Sequence, residues 1–180
     1  MVINLKNSGK AMGNPVAAVA LYLALLIPVN GSAQEDALVP MHVLSPELAL
    51  EIALASRAAC RAQGYQVAVA VVDRMGVPQV MLRDRFAGPH TPDTAQRMAW
   101  TAVSFRTDTL ELSGNSLAES GQSGARMIDN VLMLGGGVPV QAGGFTVAGV
   151  GVSGTPSGEA NDRCARVGVE AVKAKLELGG

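Results

Sequence analysis

The stretch Gly135-Gly136-Gly137-Val138-Pro139-Val140-Gln141-Ala142-Gly143-Gly144-Phe145-Thr146-Val147-Ala148-Gly149-Val150-Gly151-Val152-Ser153-Gly154 sets turn signals and apolar alternation side by side. Residues 138–142 read as a short strand. Gly143-Gly144 is one of the few dipeptides able to fill both positive-φ positions of a two-residue hairpin. A second strand then runs from Phe145 to Ser153. Its glycines at 149 and 151 carry no side chain on one face, so something can approach that face closely. Thr155-Pro156-Ser157-Gly158-Glu159 turns into a final helix ending near Leu176, with Lys173 and Lys175 suited to its C-terminus. The order is hairpin, glycine loop, helix start. Free N–H groups and a positive dipole end suit a carboxylate or phosphate there. A plain β-turn-α corner fits the same spacing.

Upstream, Ser45-Pro46-Glu47 opens a helix with an N-cap serine and a first-turn proline. The helix carries Leu48, Leu50, Ile52, Ala53, Ala59 and Cys60 to about Gln63, and Gly64 stops it. Residues 66–73 form an apolar run expected as a buried strand. Arg74-Met75-Gly76 turns it back into a partner strand over 77–84. This succession argues for an antiparallel sheet with a helix on its face. Thr91 is placed to cap a helix beginning at Pro92 and running through Ala95, Met98, Ala99 and Ala102 to Phe105, with Met98 and Trp100 as packing residues. A short helix from Thr107, a polar loop over 113–124, a helical turn within 125–130 and a further strand over 131–134 complete the expectation.

At the N-terminus, Lys6 and Lys10 precede an apolar run from Val16 to Val29, followed by Asn30-Gly31-Ser32-Ala33. That pattern is a secretory signal peptide over 1–33, with cleavage after Ala33 and a loosely held leader over 34–44. Residues 45–180 form a single domain, periplasmic or secreted, with no permanent membrane span after processing. The whole chain has 180 residues and a net charge of −1, and loss of Lys6 and Lys10 makes it more acidic. With 3% aromatic residues and no basic run, nucleic acid is not an expected partner. Cys60 and Cys164 are the only cysteines. Export permits a disulfide, yet both lie in expected helices among small residues, where a thiol packs as a compact hydrophobe. The sequence leaves their pairing open and leans toward separate burial.

The second unusual stretch is Arg83-Asp84-Arg85-Phe86-Ala87-Gly88-Pro89-His90-Thr91-Pro92-Asp93. His42 and His90 are the only imidazoles, and His90 stands near Arg83, Arg85 and Arg97 in sequence. An anionic, metal-bearing ring asks for an axial ligand, an apolar slot and cations for its carboxylates. The candidate pocket therefore gathers His90 as metal ligand, Arg83, Arg85 and Arg97 as cations, Gly135, Gly136 and Gly137, and Glu159 at the start of the last helix. A solvent-facing loop histidine fits the same residues. No catalytic constellation emerges: Ser153 lacks the Gly-x-Ser-x-Gly spacing of a nucleophile elbow, and Glu159 and Asp162 suit the helix dipole better than general-base work. Binding is the expectation, with a small-carboxylate binder or enzyme as the alternative.

Val72-Asp73-x-x-Gly76, Arg83, Asp93-x-Ala95, Ala99-x-Thr101-Ala102, Gly135-Gly136-Gly137-Val138-Pro139-Val140, Gly149-x-Gly151-Val152-Ser153-Gly154 and Asp162-x-Cys164-Ala165-x-x-Gly168 together resemble the GlcG/HbpS-like haem-binding family across nearly all of residues 45–177. The resemblance implies a profilin-like fold, a central antiparallel sheet with helices on both faces. It also implies a tetrapyrrole ligand, haem, and assembly into homo-oligomers, often octamers. Some members of that family are secreted and handle haem or its iron. Others bind haem beside corrinoid metabolism or accompany glycolate oxidation genes, and haem degradation is proposed for some. Two departures stand out. Met98 occupies a position where members usually carry lysine, leaving Arg97 as the neighbouring cation. Arg85-Phe86-Ala87-Gly88 replaces a usual acidic-Gly-Ala segment.

Overall fold

A computed structural model describes residues 37–178. The signal-peptide reading over 1–33 lies outside the described residues, as does the leader as far as residue 36. From Pro40 onward the chain forms one unit.

Helix α1, Pro46–Ala62, starts as its sequence requires: the Ser45 hydroxyl accepts the Leu48 N–H at 3.3 Å. It ends at Gly64, whose φ of +82° few other residues adopt. Strands β1, Ala68–Asp73, and β2, Pro78–Arg83, follow as an antiparallel pair. Asp73 closes their turn by accepting the N–H groups of Met75 and Val77 at 2.8 and 2.9 Å. Helix α2 spans Thr91–Phe105 and α3 spans Thr109–Asn115. A 3-10 turn covers Ser123–Met127, two residues earlier than expected. Strands β3, Gly137–Ala142, and β4, Phe145–Ser153, form the hairpin, with Gly143 and Gly144 at φ +56° and +81°. Helix α4, Gly158–Leu178, ends the described chain.

The four strands lie in the order β2-β1-β4-β3, all antiparallel. Strand alternation divides the core. Val69, Val71, Val138, Val140, Val150 and Val152 pack with Ile52, Ala53, Cys60, Ala165 and Val172 of α1 and α4. On the other face Ala68, Ala70 and Val72 pack with Ala95, Ala99 and Val103 of α2. The expected mixed fold, an antiparallel sheet flanked by helices on both faces, is the one found.

Three local expectations need correction. Residues 131–134 are not a strand. Their backbone groups are taken by side chains: Arg97 donates to Val131 O at 3.0 Å, Leu132 N donates to the Thr101 hydroxyl at 2.9 Å, and the Thr109 hydroxyl donates to Leu134 O. No ladder partner is left for them. Thr91 is not a cap but the first helical residue, its hydroxyl donating to Gly88 O at 2.7 Å, while His90 occupies the cap position. Cys60 and Cys164 form a disulfide, because the crossing of α1 and α4 brings their Cα atoms to 5.5 Å, well within bridging range.

Candidate functional site

The glycines of β4 show what approaches the bare face. A methyl group built on Gly151 would sit 2.0 Å from Ala95 O, and one on Gly149 would sit 2.4 Å from Ala99 O. Helix α2 lies directly on the strand backbone. The next residue on that face, Ser153, lies beyond Ala95 toward the start of α2, and there the helix-to-sheet contact opens into a cleft of about 600 Å³. Its boundary includes Gly88, His90 and Thr94 at the start of α2, and Ser153 to Glu159 around the start of α4. Met98, Leu110 and Leu134 supply apolar wall. Two helix N-termini thus face one cavity, each with a positive dipole end.

Asn161 holds the far side together. Its Oδ1 accepts Thr155 N at 3.2 Å and the Thr155 hydroxyl at 2.9 Å, while its Nδ2 donates to Gly135 O at 3.3 Å. Ser157 caps α4 by accepting the Ala160 N–H at 3.3 Å. Glu159 is fully exposed, and its carboxyl lies below the usual range because its own backbone N–H, then the Ser157 hydroxyl and the Arg163 charge, favour the anion.

Of the residues singled out from sequence, His90, Gly135 and Glu159 border this cleft. His90 is exposed at the rim and folds against Gly88. Gly135 touches the backbone of Gly158 where the two segments cross. Gly136, with φ +135°, and Gly137 are buried, and methyl groups there would strike Val152 O and Met98 O at 2.4 and 2.3 Å. They let the segment pass between α2 and β4. The arginines stand elsewhere. Arg83 donates to Ala87 O and closes its own loop; Arg85 is exposed; Arg97 ties down Asn130 and Val131 through their carbonyls and lies 3.9 Å from Asp93. None of the three borders the cleft, which has no Arg or Lys among its described lining residues. Sequence reasoning missed Ser153, Thr94, Thr155 and Asn161. Ser153 had a signal, since it continues the small-residue face of Gly149 and Gly151.

A second groove of about 520 Å³ carries Arg106, Asp108, Arg166, Glu170 and Lys173 between β3, α3 and α4. Its charges answer one another: Arg166 bonds Asp162 at 2.7 Å and Asp108 at 2.6 Å, and these two carboxylates, Asp162 foremost, raise the guanidinium pKa. Lys173 pairs with Glu170 at 3.4 Å.

Known proteins resemble the chain closely. A variant of HbpS from Streptomyces reticuli, with two glutamates changed to aspartate, is 40% identical, covering 78% of this chain and 94% of that one with a TM-score of 0.72. A structure described as a PduOC–haem complex is 26% identical over 72% of this chain and 95% of that one, with a TM-score of 0.67. The Klebsiella pneumoniae protein ORFY, 23% identical, shares the fold over 77% of this chain and 97% of that one, with a TM-score of 0.74. No curated protein matches. The family model described as haem degrading protein HbpS-like matches residues 44–170. With the family model matching most of its length and a 40% identical relative of the same overall fold, this chain belongs to the HbpS-like family.

Proposed function

We propose that this protein binds haem in the cleft between the starts of α2 and α4. The observation that carries the reading is the cleft itself, about 600 Å³ with an imidazole at its rim, in a chain of the HbpS-like family. Its volume falls within the range of cofactor pockets. The residues fit the group in three respects: Met98, Leu110 and Leu134 would offer apolar wall to the ring, His90 would offer a nitrogen to iron, and the two helix starts would favour the charge of a propionate. Bound haem supplies an iron centre able to exchange ligands and electrons. The chain's own part is to bury the ring edge, hold the imidazole and orient the carboxylates.

Haemin titration tests this directly. A saturable Soret band should form, and His90→Ala should move its maximum. An unmoved band would remove His90 as the iron ligand, and a wild-type protein that does not bind haemin would overturn the reading. A small-carboxylate binder or enzyme is the second reading, favoured by the two helix N-termini that face the cleft.

The protein is proposed to be exported after cleavage behind Ala33, placing it in the periplasm or outside the cell. The Cys60–Cys164 bridge supports this, because structural disulfides persist in oxidising compartments. The mature chain should begin at Gln34, and an N-terminal sequence starting at Met1 would count against export. Assembly into a homo-oligomer, an octamer by the family's habit, is proposed from the family resemblance. Light scattering should give several chain masses, and a monomer at micromolar concentration would refute it.

A further inference from the structure

Every buried or half-buried hydroxyl bordering the cleft is already engaged, with one exception. Thr91 donates to Gly88 O, Thr94 to His90 O at 2.9 Å, Ser113 to Leu110 O at 2.7 Å, and Thr155 to Asn161 and to Ser157 O. Ser153 is 4% exposed and has no side-chain hydrogen bond among the described residues. Alternation along β4 fixes its direction. Val150 and Val152 belong to the core under α1 and α4, whereas Gly149 and Gly151 face α2, so Ser153 also faces the α2 side, where the cleft begins. Its oxygen is not among the sealed, unpartnered polar atoms, so the hydroxyl opens onto the cavity and is free to bond a ligand atom there.

The surroundings define that atom's charge. Helix α2, of 15 residues, and helix α4, of 21, both present their N-termini to the same cavity. Of their first-turn acids, Asp93 lies toward Arg97, while Glu159 borders the cleft with its carboxyl taken by its own backbone N–H and the Ser157 hydroxyl. With no Arg or Lys among the lining residues, the Ser153 hydroxyl and the two positive dipole ends are the groups that favour an anion here, and they suit a single carboxylate. We propose that Ser153 is the anchor of a carboxylate subsite at the inner end of the cleft. This rests on the reading of the cleft as the binding site and gives it an orientation. If the ligand is haem, one propionate points inward to Ser153 rather than out to solvent. If the ligand is a small carboxylic acid, the same hydroxyl holds it.

Three probes separate the sources: haemin, haemin dimethyl ester and sodium propionate. Wild type should bind haemin about tenfold more tightly than its ester, the amount expected of one hydrogen bond to a charged group. Ser153→Ala, which removes one oxygen and adds nothing, should lose about that factor for haemin and leave ester binding unchanged. Propionate binding lost in Ser153→Ala, with no haemin binding by wild type, would keep the subsite, assign it to a small acid and discard the haem reading. Haemin bound equally by wild type and Ser153→Ala, with no preference over the ester, would overturn the subsite and leave the haem reading intact. Failure of wild type to bind any of the three would overturn both. Should Ser153→Ala fold poorly, the preference of wild type for free acid over ester decides alone.

Discussion

The two faces of the sheet are built on opposite plans. One carries a thick layer of valines, Ile52 and Leu44 beneath α1 and α4, joined by the Cys60–Cys164 bridge. The other carries a smaller cluster, Ala68, Ala70, Val72, Ala95, Ala99 and Val103, beneath α2. The first is held by apolar area removed from water, roughly 25 cal/mol per Å². The second has little such area, and it is held by close approach, with α2 carbonyls resting on bare strand backbone. The difference bears on function. A thick core closes the space at its edges, whereas the thin layer opens into a cavity at the start of α2. The cleft stands at that opening.

The largest expected effect lies on the thick face. Cys60 and Cys164 are 104 residues apart, and freeing a loop of about that length costs roughly 4–5 kcal/mol on the chain-entropy account. Changing both to alanine should lower stability by about 4 kcal/mol in urea titration, with reductant destabilising wild type but not the variant. A loss under about 1 kcal/mol would show that packing alone holds that face.

Next comes a pair of opposite changes. Removing bulk from the thick face, Ile52→Ala, should cost about 3 kcal/mol by loss of burial and creation of a cavity. Adding one methyl to the thin face, Gly151→Ala, should cost about 2 kcal/mol, because the new Cβ would meet Ala95 O at 2.0 Å and α2 must lift. That lift should also weaken haemin binding, since α2 is a wall of the cleft. Should Gly151→Ala be neutral in both stability and binding, the contrast between the faces would fail.

The smallest effect concerns the exposed start of α4. The Glu159 carboxyl lies below its ordinary value of 4.5, held there by its backbone N–H and Ser157. A depressed folded pKa contributes stability that is present above the unfolded value and is lost as pH falls through the folded one. Glu159→Gln should therefore be slightly less stable than wild type near neutral pH, and the two curves should converge in acid. A gap that widens on acidification would have the wrong sign.

Much of the chain order was legible in the sequence because the signals were local. Ser45-Pro46, Gly64, Gly76 and Gly143-Gly144 act within a few residues of themselves, and the helix and strand boundaries near them lie close to expectation. Residues 131–134 misled because a short apolar run has no strand preference that survives three side chains from α2 and α3 claiming its backbone. The triple glycine was visible from the start, but only Gly135 borders the cleft, its two neighbours serving the close passage beside α2.

The sequence by itself determined the alternation of the strands, the helix starts, the bare face of β4 and the family, since each depends on residue type at fixed spacing along the chain. Only the tertiary structure decided what that bare face meets, which way Ser153 turns, and that Arg83 and Arg97 tie down loops while Cys60 finds Cys164. Those outcomes depend on distances between residues far apart in sequence, and such distances exist only once helices have packed on a sheet.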